Sequence, residues 1–176
     1  MSGGDPAVFL DRDGTLIEDV GYPRDPAAVR LLDGAAPALA ELAAAGFRLV
    51  VVSNQSGVGR GLIAPDEAER VHERFTAELA SRGVALDGAR YCPHAPEDGC
   101  DCRKPAPGLL LAAAAELGLD LSRSFAVGDR DRDVEAGRRA GCTTVLLGGG
   151  GSAHADFAAA GWDDVVRFVL GRRAAA

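Results

Sequence analysis

The 176-residue chain lacks the long apolar runs that cross membranes. Its apolar stretches all fall well short of the roughly 20 residues that a membrane-spanning helix needs. Residues 1–6 are polar and acidic, and the apolar stretch at residues 7–10 is too short for the core of a signal peptide. We therefore expect no membrane association and a cytoplasmic location.

Positive charge is also scarce. There are 19 Lys and Arg residues against 26 Asp and Glu, which gives a formal net charge of −7. Non-specific nucleic-acid binding requires a basic face, so we expect no nucleic-acid partner. A small phosphorylated substrate remains compatible with this charge, because a few local cations can hold it. The length suits one domain over residues 1–176.

Short apolar runs alternate with helical patterns along the chain. Strands are predicted at residues 8–10, 47–52, 89–91, 124–127 and 143–147, and helices at residues 37–45, 65–82, 108–117 and 131–140. Alternation of this kind is typical of βαβ units, so we predict an α/β fold with a mostly parallel central sheet. The glycine run at residues 148–151 predicts a turn, and the remainder predicts one or two short helices.

Polar clusters follow three of the predicted strands. Asp11 and Asp13 follow the first strand, Ser53 and Asn54 lie at the end of the second, and Asp129 and Asp133 follow the fourth. In parallel sheets the ligand site lies at the carboxyl ends of the strands. We therefore predict that the three clusters converge on one edge of the sheet.

These clusters could supply the parts of a phosphoryl-transfer site. Of Asp11 and Asp13, one carboxylate could attack phosphorus while the other protonates the leaving oxygen. Asp129 could complete an all-oxygen Mg²⁺ site with Asp11 and the backbone carbonyl of Asp13. The Ser53 hydroxyl and the Lys104 ammonium could stabilise the transferred group. Taken singly, the Asp-x-Asp-Gly and Gly-Asp segments are equally compatible with ordinary turns; their combination favours catalysis.

The loop at residues 92–104 contains three of the four cysteines. Its possible metal ligands, which span eleven residues, are Cys92, His94, Cys100 and Cys102. Such a set suits tetrahedral Zn²⁺ and leaves no open position, so it predicts a structural ion. The loop leads into Arg103 and Lys104, which the ion would hold in place. The alternative is reduced cysteines, or a disulfide, in an irregular loop. Cys142 is interpreted as a packing residue.

The segment Phe-Leu-Asp-Arg-Asp-Gly-Thr at residues 9–15 resembles the first motif of the haloacid dehalogenase superfamily. Ser53, Lys104 and Asp129 stand in the order of its second, third and fourth motifs. Within the superfamily the chain is similar to the D-glycero-D-manno-heptose 1,7-bisphosphate 7-phosphatases and the related histidinol-phosphate phosphatases. The segments that carry this likeness are residues 19–22, 53–57, 92–94 and 100–105.

The resemblance implies a Rossmann-like three-layer sandwich of the capless type, with a zinc-binding loop. It implies that Asp11 is the nucleophile and a Mg²⁺ ligand. It further implies that Asp13 is the general acid and base and binds Mg²⁺ through its carbonyl, and that Asp129 is the third protein ligand. Ser53 and Lys104 would stabilise the transferring phosphoryl group.

The resemblance also implies a set of substrate contacts. They are Asp19, Gly21, Tyr22, Asn54, Gln55, Ser56, Arg103 and Arg130. Val20 departs from the His often found in the heptose enzymes, and Arg130 stands where relatives often have Lys. Asp133 either orients Lys104 or is a solvated residue in the first turn of a helix.

The implied activity is Mg²⁺-dependent hydrolysis of the C7 phosphate of a heptose 1,7-bisphosphate, through a phospho-aspartyl intermediate. Two alternatives stay open at this point. One is a phosphatase for histidinol phosphate or another small sugar phosphate, and the other is a non-catalytic module that binds a phosphorylated ligand. Small capless members are often monomers, so a monomer is expected.

Overall fold

Six parallel strands form the central sheet in a computed structural model that describes residues 4–148 and 154–174. The strands are β1 (Ala7–Leu10), β2 (Arg48–Asn54), β3 (Gly88–Cys92), β4 (Phe125–Gly128), β5 (Thr143–Leu147) and β6 (Phe157–Ala159). Their order across the sheet is β3-β2-β1-β4-β5-β6, and each neighbouring pair is parallel. The predicted α/β fold is confirmed, and the sheet is parallel throughout.

The helices are α1 (Ala35–Ala44), α2 (Ser56–Gly59), α3 (Pro65–Ala80), α4 (Gly108–Leu117), α5 (Asp131–Ala140) and α6 (Trp162–Ala174). Local chemistry sets several of their ends. Helix α3 begins at Pro65, and the Glu67 carboxylate accepts a hydrogen bond from the backbone N–H of Ala64 at 2.8 Å. Helices α4 and α5 stop at Gly118 and Gly141, whose positive φ angles of 65° and 88° are open to glycine at no steric cost.

The two faces of the sheet carry separate apolar clusters. Val8 and Leu10 of β1 point to the face that is covered by α1, α3 and α6. Ala7 and Phe9 point to the opposite face, which α4 and α5 cover. Burial on both faces explains why the strands read as continuous apolar runs, and it makes the molecule a three-layer sandwich.

The end of the chain departs from the sequence prediction. Strand β6 has three residues and no alternating pattern, so pairing with β5 fixes it rather than propensity. Asp156 assists this pairing, because its carboxylate accepts hydrogen bonds from the backbone N–H and the hydroxyl of Thr144 at 2.8 and 2.9 Å. One helix follows, α6, as the prediction of one or two helices allows, but at 13 residues it is longer than the short helix expected. Beyond Gly148, the predicted glycine turn lies outside the described residues.

The fold positions the polar clusters by ending three adjacent strands at one edge. Strands β2, β1 and β4 are neighbours, and their carboxyl ends lead into Gln55, Asp11 and Asp129 respectively. Across residues 4–148 and 154–174, no helix has both the length and the apolarity to cross a bilayer.

Candidate active site

Asp11 and Lys104 form a buried ion pair at the centre of this edge. Asp11 is 4% exposed and Lys104 is 2% exposed. The Lys104 Nζ donates to Asp11 Oδ1 at 2.8 Å and to the carbonyl of Val52 at 2.8 Å, and it lies 2.6 Å from Asp133 Oδ1. Three oxygen atoms therefore surround an ammonium that has three N–H bonds.

Asp133 is buried and does not face solvent. One of its carboxylate oxygens contacts Lys104, and the other accepts a hydrogen bond from the backbone N–H of Arg130 at 3.1 Å. Of the two interpretations left open by the sequence, this geometry agrees with the one in which Asp133 orients Lys104. Gly128 makes the approach possible, because a Cβ there would lie 2.3 Å from the Cβ of Asp133.

Burial and charge act in opposite directions on these groups. Burial lowers the pKa of Lys104, but the carboxylates of Asp11 and Asp133 raise it by more, so the net shift is upward. Burial also raises the pKa of Asp133 to about 6, although Lys104 opposes this shift. The pKa of Asp129 is raised by burial and by the negative charge of Asp11. The site therefore contains more negative charge than its protein cations neutralise.

This excess of negative charge fits a divalent cation. Asp11, Asp129 and Asp133 each place a carboxylate oxygen within 4.8 Å of the others. All-oxygen sets of this kind suit Mg²⁺. Asp129 approaches closely because Gly14, at a φ of 83°, has no side chain; a Cβ there would lie 2.5 Å from Asp129 Oδ2. The donor chemistry thus agrees with the predicted Mg²⁺ ligands, and it adds Asp133 as a further carboxylate nearby.

Asp13 lies beside this group and is held from two sides. Gln55 Nε2 donates to Asp13 Oδ2 at 2.6 Å and to the Ser53 hydroxyl at 3.1 Å, which links the end of β2 to the turn after β1. The Arg12 guanidinium binds the same carboxylate. Burial raises the pKa of Asp13, and the charge of Arg12 opposes the rise.

Arg12 is a site residue that the sequence analysis did not assign. Its side chain is 2% exposed, which is exceptional for a cation unless it is paired. The available signal was its position between two acidic residues directly after a buried strand.

Asn54 connects β2 to the end of the cysteine loop. Its Nδ2 donates to the carbonyl of Lys104 at 3.0 Å, and its Oδ1 accepts from the N–H of Lys104 at 3.0 Å. The peptide bond between Lys104 and Pro105 is cis. Arg103 is half-buried, and its guanidinium donates to the carbonyl of His94 at 3.3 Å.

The rim of the site is built mostly from exposed side chains. Arg130 lies 2.9 Å from Asp129 Oδ2 and 3.4 Å from Asp19 Oδ2, so it joins the loop after β1 to the loop after β4. The N–H of Gly21 donates to the Asp19 carboxylate at 2.9 Å, which shapes that loop. Tyr22 is 42% exposed and receives a hydrogen bond from Arg60 at 3.4 Å. Ser56, at the start of α2, is half-buried.

The side chains of the four predicted zinc ligands lie close together, directly before Arg103 in the chain. The Cys102 Sγ lies 3.2 Å from the Cys92 Sγ, 3.4 Å from the Cys100 Sγ and 3.3 Å from the His94 Nδ1. Zn–S bonds of about 2.3 Å in a tetrahedron would separate two sulfur atoms by about 3.8 Å. All four cysteines of the chain are free, and Cys142 is buried away from this set. The donors and their spacing thus fit Zn²⁺.

Comparisons with known proteins agree with this geometry. Residues 101–169 match the HAD-hydrolase-like family. D-glycero-β-D-manno-heptose-1,7-bisphosphate 7-phosphatase from Photorhabdus laumondii is 44% identical over 154 residues, which cover 84% of this chain and 82% of that protein. The enzyme of the same name from Pasteurella multocida is 46% identical over 147 residues, with 80% of each chain covered.

Solved structures give the same grouping. The D,D-heptose 1,7-bisphosphate phosphatase from B. bronchiseptica, complexed with magnesium and phosphate, superposes with a TM-score of 0.86 at 32% identity, covering 95% of this chain and 99% of that one. An HAD-like phosphatase from Mesorhizobium loti also gives a TM-score of 0.86, at 35% identity, with 97% and 87% covered. This chain therefore belongs to the D-glycero-β-D-manno-heptose-1,7-bisphosphate 7-phosphatase family of the haloacid dehalogenase superfamily.

Proposed function

We propose that this protein hydrolyses the C7 phosphate of D-glycero-D-manno-heptose 1,7-bisphosphate, giving heptose 1-phosphate through a phospho-aspartyl intermediate on Asp11. The observation that carries the proposal is the convergence of Asp11, Asp13, Lys104 and Asp129 at one sheet edge, in a chain related to enzymes of that name. This places the protein among the phosphoric monoester hydrolases.

The reaction has two halves. In the first, an Asp11 carboxylate oxygen attacks phosphorus. The bond between phosphorus and the oxygen on C7 breaks, and Asp13 donates a proton to that leaving oxygen. In the second, Asp13 takes a proton from water, the water oxygen attacks phosphorus, and Asp11 is released. Because Lys104 binds Asp11 Oδ1, we assign the attack to Oδ2.

Charge on the transferring group is balanced by fixed donors. The Ser53 hydroxyl, at the end of β2, and the Lys104 ammonium are assigned to its equatorial oxygens. A Mg²⁺ ion held by Asp11, Asp129 and the carbonyl of Asp13 would neutralise further negative charge on the phosphate. The close approach of the Asp11 and Asp129 carboxylates supports this assignment: burial and the charge of Asp11 raise the pKa of Asp129, and a cation would relieve the repulsion.

The rim residues are proposed to select the sugar. The exposed Arg130 and the half-buried Arg103 are two cations of the rim, and we assign binding of the retained phosphate to Arg103. The other proposed substrate contacts are Asp19, Gly21, Tyr22, Asn54, Gln55 and Ser56. Since both polar atoms of the Asn54 amide bind the Lys104 backbone, its contribution to the substrate would be through the position of Lys104.

We further propose that residues 1–176 form one catalytic domain, active as a cytoplasmic monomer. Cys92, His94, Cys100 and Cys102 would hold a structural Zn²⁺ ion in the loop at residues 92–104, next to Arg103 and Lys104.

Steady-state kinetics on both anomers of the heptose 1,7-bisphosphate and on histidinol phosphate test the substrate. We expect the highest kcat/KM with a heptose bisphosphate, and release of only one phosphate per molecule. A clear preference for histidinol phosphate would contradict the heptose assignment and leave the phosphatase assignment intact.

The Asp11→Asn variant tests the covalent mechanism. We expect loss of turnover, because an amide is a poor nucleophile towards phosphorus. Retained turnover would exclude the phospho-aspartyl intermediate. Absence of wild-type turnover on every phosphate ester would favour a module that binds a phosphorylated ligand without catalysis.

A further inference from the structure

Arg12 holds the Asp13 carboxylate in a two-point grip. Its Nη2 lies 3.0 Å from Asp13 Oδ2 and 3.2 Å from Oδ1, while its Nε lies 3.3 Å from each oxygen. A guanidinium fixes the orientation of a carboxylate in this way because its donors lie in one plane. Gln55 binds the same carboxylate at 2.6 Å, so donors from two residues define where it lies.

The Arg12 guanidinium is itself held by Tyr91 of β3. Its Cζ lies 5.2 Å from the centre of the Tyr91 ring, within the range of a cation–π contact. Strand register explains the placement, since Tyr91 pairs with Ser53 on the neighbouring strand β2. The Arg12 side chain thus reaches from the end of β1 to β3, next to β2, whose Ser53 hydroxyl we assign to the phosphoryl group.

A third residue, His72 of α3, fixes Tyr91. The His72 Nδ1 and the Tyr91 hydroxyl are 2.7 Å apart, and the two rings meet edge to face with centroids 5.2 Å apart. His72 and Tyr91 are both half-buried. The contacts therefore run without a break from helix α3 to the Asp13 carboxylate.

We propose that Arg12 is a positioning residue for Asp13, and that Tyr91 and His72 keep Arg12 in place. This role rests on the acid–base function proposed for Asp13. An Asp side chain that serves both the leaving oxygen and the attacking water must stay within hydrogen-bond reach of both. With Arg12 removed, the hydrogen bond from Gln55 would be the one side-chain hydrogen bond left to the Asp13 carboxylate within residues 4–148 and 154–174.

The backbone of Arg12 organises the same turn. Its carbonyl accepts hydrogen bonds from the N–H groups of Thr15, Leu16 and Ile17 at 3.3, 2.8 and 3.1 Å. These bonds do not depend on the side chain. Substitutions of Arg12 can therefore test the guanidinium while leaving the bonds that shape the turn available.

Two generic esters separate this role from general damage to the site. p-Nitrophenyl phosphate has a leaving group that departs without much help from an acid, whereas glycerol 3-phosphate requires protonation of its alkoxide. The measured quantity is the rate of leaving-group release in a single turnover, so that only the first half of the reaction is observed. Because neither ester contains heptose, the test does not depend on the identity of the natural substrate.

For Arg12→Met we expect release from glycerol 3-phosphate to fall by about tenfold or more, and release of p-nitrophenol to change by less than about threefold. Arg12→Lys should resemble Arg12→Met, because one ammonium does not reproduce the planar fork. Tyr91→Phe, which keeps the ring and loses the hydroxyl bound to His72, should show a smaller loss of the same kind. Arg48→Met is the matched control, since Arg48 is exposed and pairs with Asp5 and Asp87 at the opposite edge of the sheet; it should match wild type on both esters.

Equal losses on the two esters, or no loss on either, would overturn the proposal. If Arg12→Met unfolds, as its thermal midpoint would reveal, the same comparison on Arg12→Lys and Tyr91→Phe decides the question, since both keep the charge of Arg12. A wild-type protein that releases neither leaving group, and no phosphate from a heptose bisphosphate, would overturn the proposed function and this role with it. Turnover of both esters without preference for a heptose bisphosphate would affect only the substrate assignment.

Discussion

The side-chain amide of Asn54 makes two hydrogen bonds with the backbone of Lys104, one in each direction and both 3.0 Å long. This pairing joins the end of a core strand to the loop that carries the buried lysine. Because the two residues are 50 positions apart in the chain, the bonds place Lys104 relative to β2 irrespective of the loop between them.

Replacing Asn54 by Ala should therefore affect both stability and catalysis. Loss of the two hydrogen bonds should lower the free energy of unfolding by about 1–3 kcal/mol. A displaced Lys104 should lower kcat by about tenfold or more. Urea denaturation and steady-state kinetics measure the two effects. Ser122→Ala, which removes an exposed hydroxyl bound to Asp120, is the control and should change neither; an unchanged kcat in Asn54→Ala would contradict the placement of Lys104 by Asn54.

The close packing of Gly128 against Asp133 predicts a second effect. In Gly128→Ala the new methyl group would need space now filled by the Asp133 side chain, since it would lie 2.3 Å from the Asp133 Cβ. We expect a loss of about 1–3 kcal/mol in unfolding free energy and a fall in kcat, as Asp133 moves away from Lys104. Gly171→Ala in α6 is the contrasting variant, because nothing lies within 4 Å of that position. It should be neutral or stabilising by up to about 1 kcal/mol. Similar behaviour of the two variants would show that Gly128 is not sterically restricted.

The amount of bound zinc should depend on the four clustered ligands and not on the total number of cysteines. Purified wild-type protein should contain one zinc ion per chain by elemental analysis, and Cys100→Ser should contain much less. Cys142→Ala removes a buried cysteine outside the cluster and should retain the zinc. We also expect Cys100→Ser to lose activity with Mg²⁺ in excess, because Arg103 and Lys104 follow the loop directly. Zinc-free wild-type protein with full activity would contradict the structural role of the ion.

Magnesium should stabilise the protein more strongly as the pH rises. The pKa values of Asp129 and Asp133 are raised on folding, the latter to about 6 from an ordinary value of 3.8. Such groups favour folding at low pH, where they are protonated, and this contribution is lost as the pH rises through the folded-state pKa. Mg²⁺ bound to the deprotonated carboxylate of Asp129, close to Asp133, would offset part of that loss.

Thermal unfolding midpoints with and without Mg²⁺ measure this effect. The increase produced by Mg²⁺ should be small at about pH 5 and clearly larger at about pH 8. In Asp129→Asn the increases that Mg²⁺ produces at the two pH values should differ by less than they do in the wild type. An increase independent of pH would show that Asp129 does not bind the ion.

Much of the fold was predictable because its signals are local. The apolar runs and the glycines that end helices predicted five of the six strands and four of the helices, with small differences at the boundaries. Strand β6 escaped prediction because three residues carry too little pattern, and pairing with β5 determines it. The short helix α2 was not predicted, because its segment was interpreted only as a motif.

The candidate site divides in the same way. The sequence alone determined which residues we propose for the chemistry: two carboxylates after a strand, a Gly-Asp pair, a lysine, and a Cys₃His set whose spacing suits one ion. These are properties of residue type and separation along the chain. The tertiary structure alone decided that Asp133 contacts Lys104, that Asn54 binds the Lys104 backbone, and that Arg12 lies buried between Asp13 and Tyr91. Apart from the contact between the chain neighbours Arg12 and Asp13, these contacts join residues far apart in the chain, and only the packing of the parallel sheet brings them together.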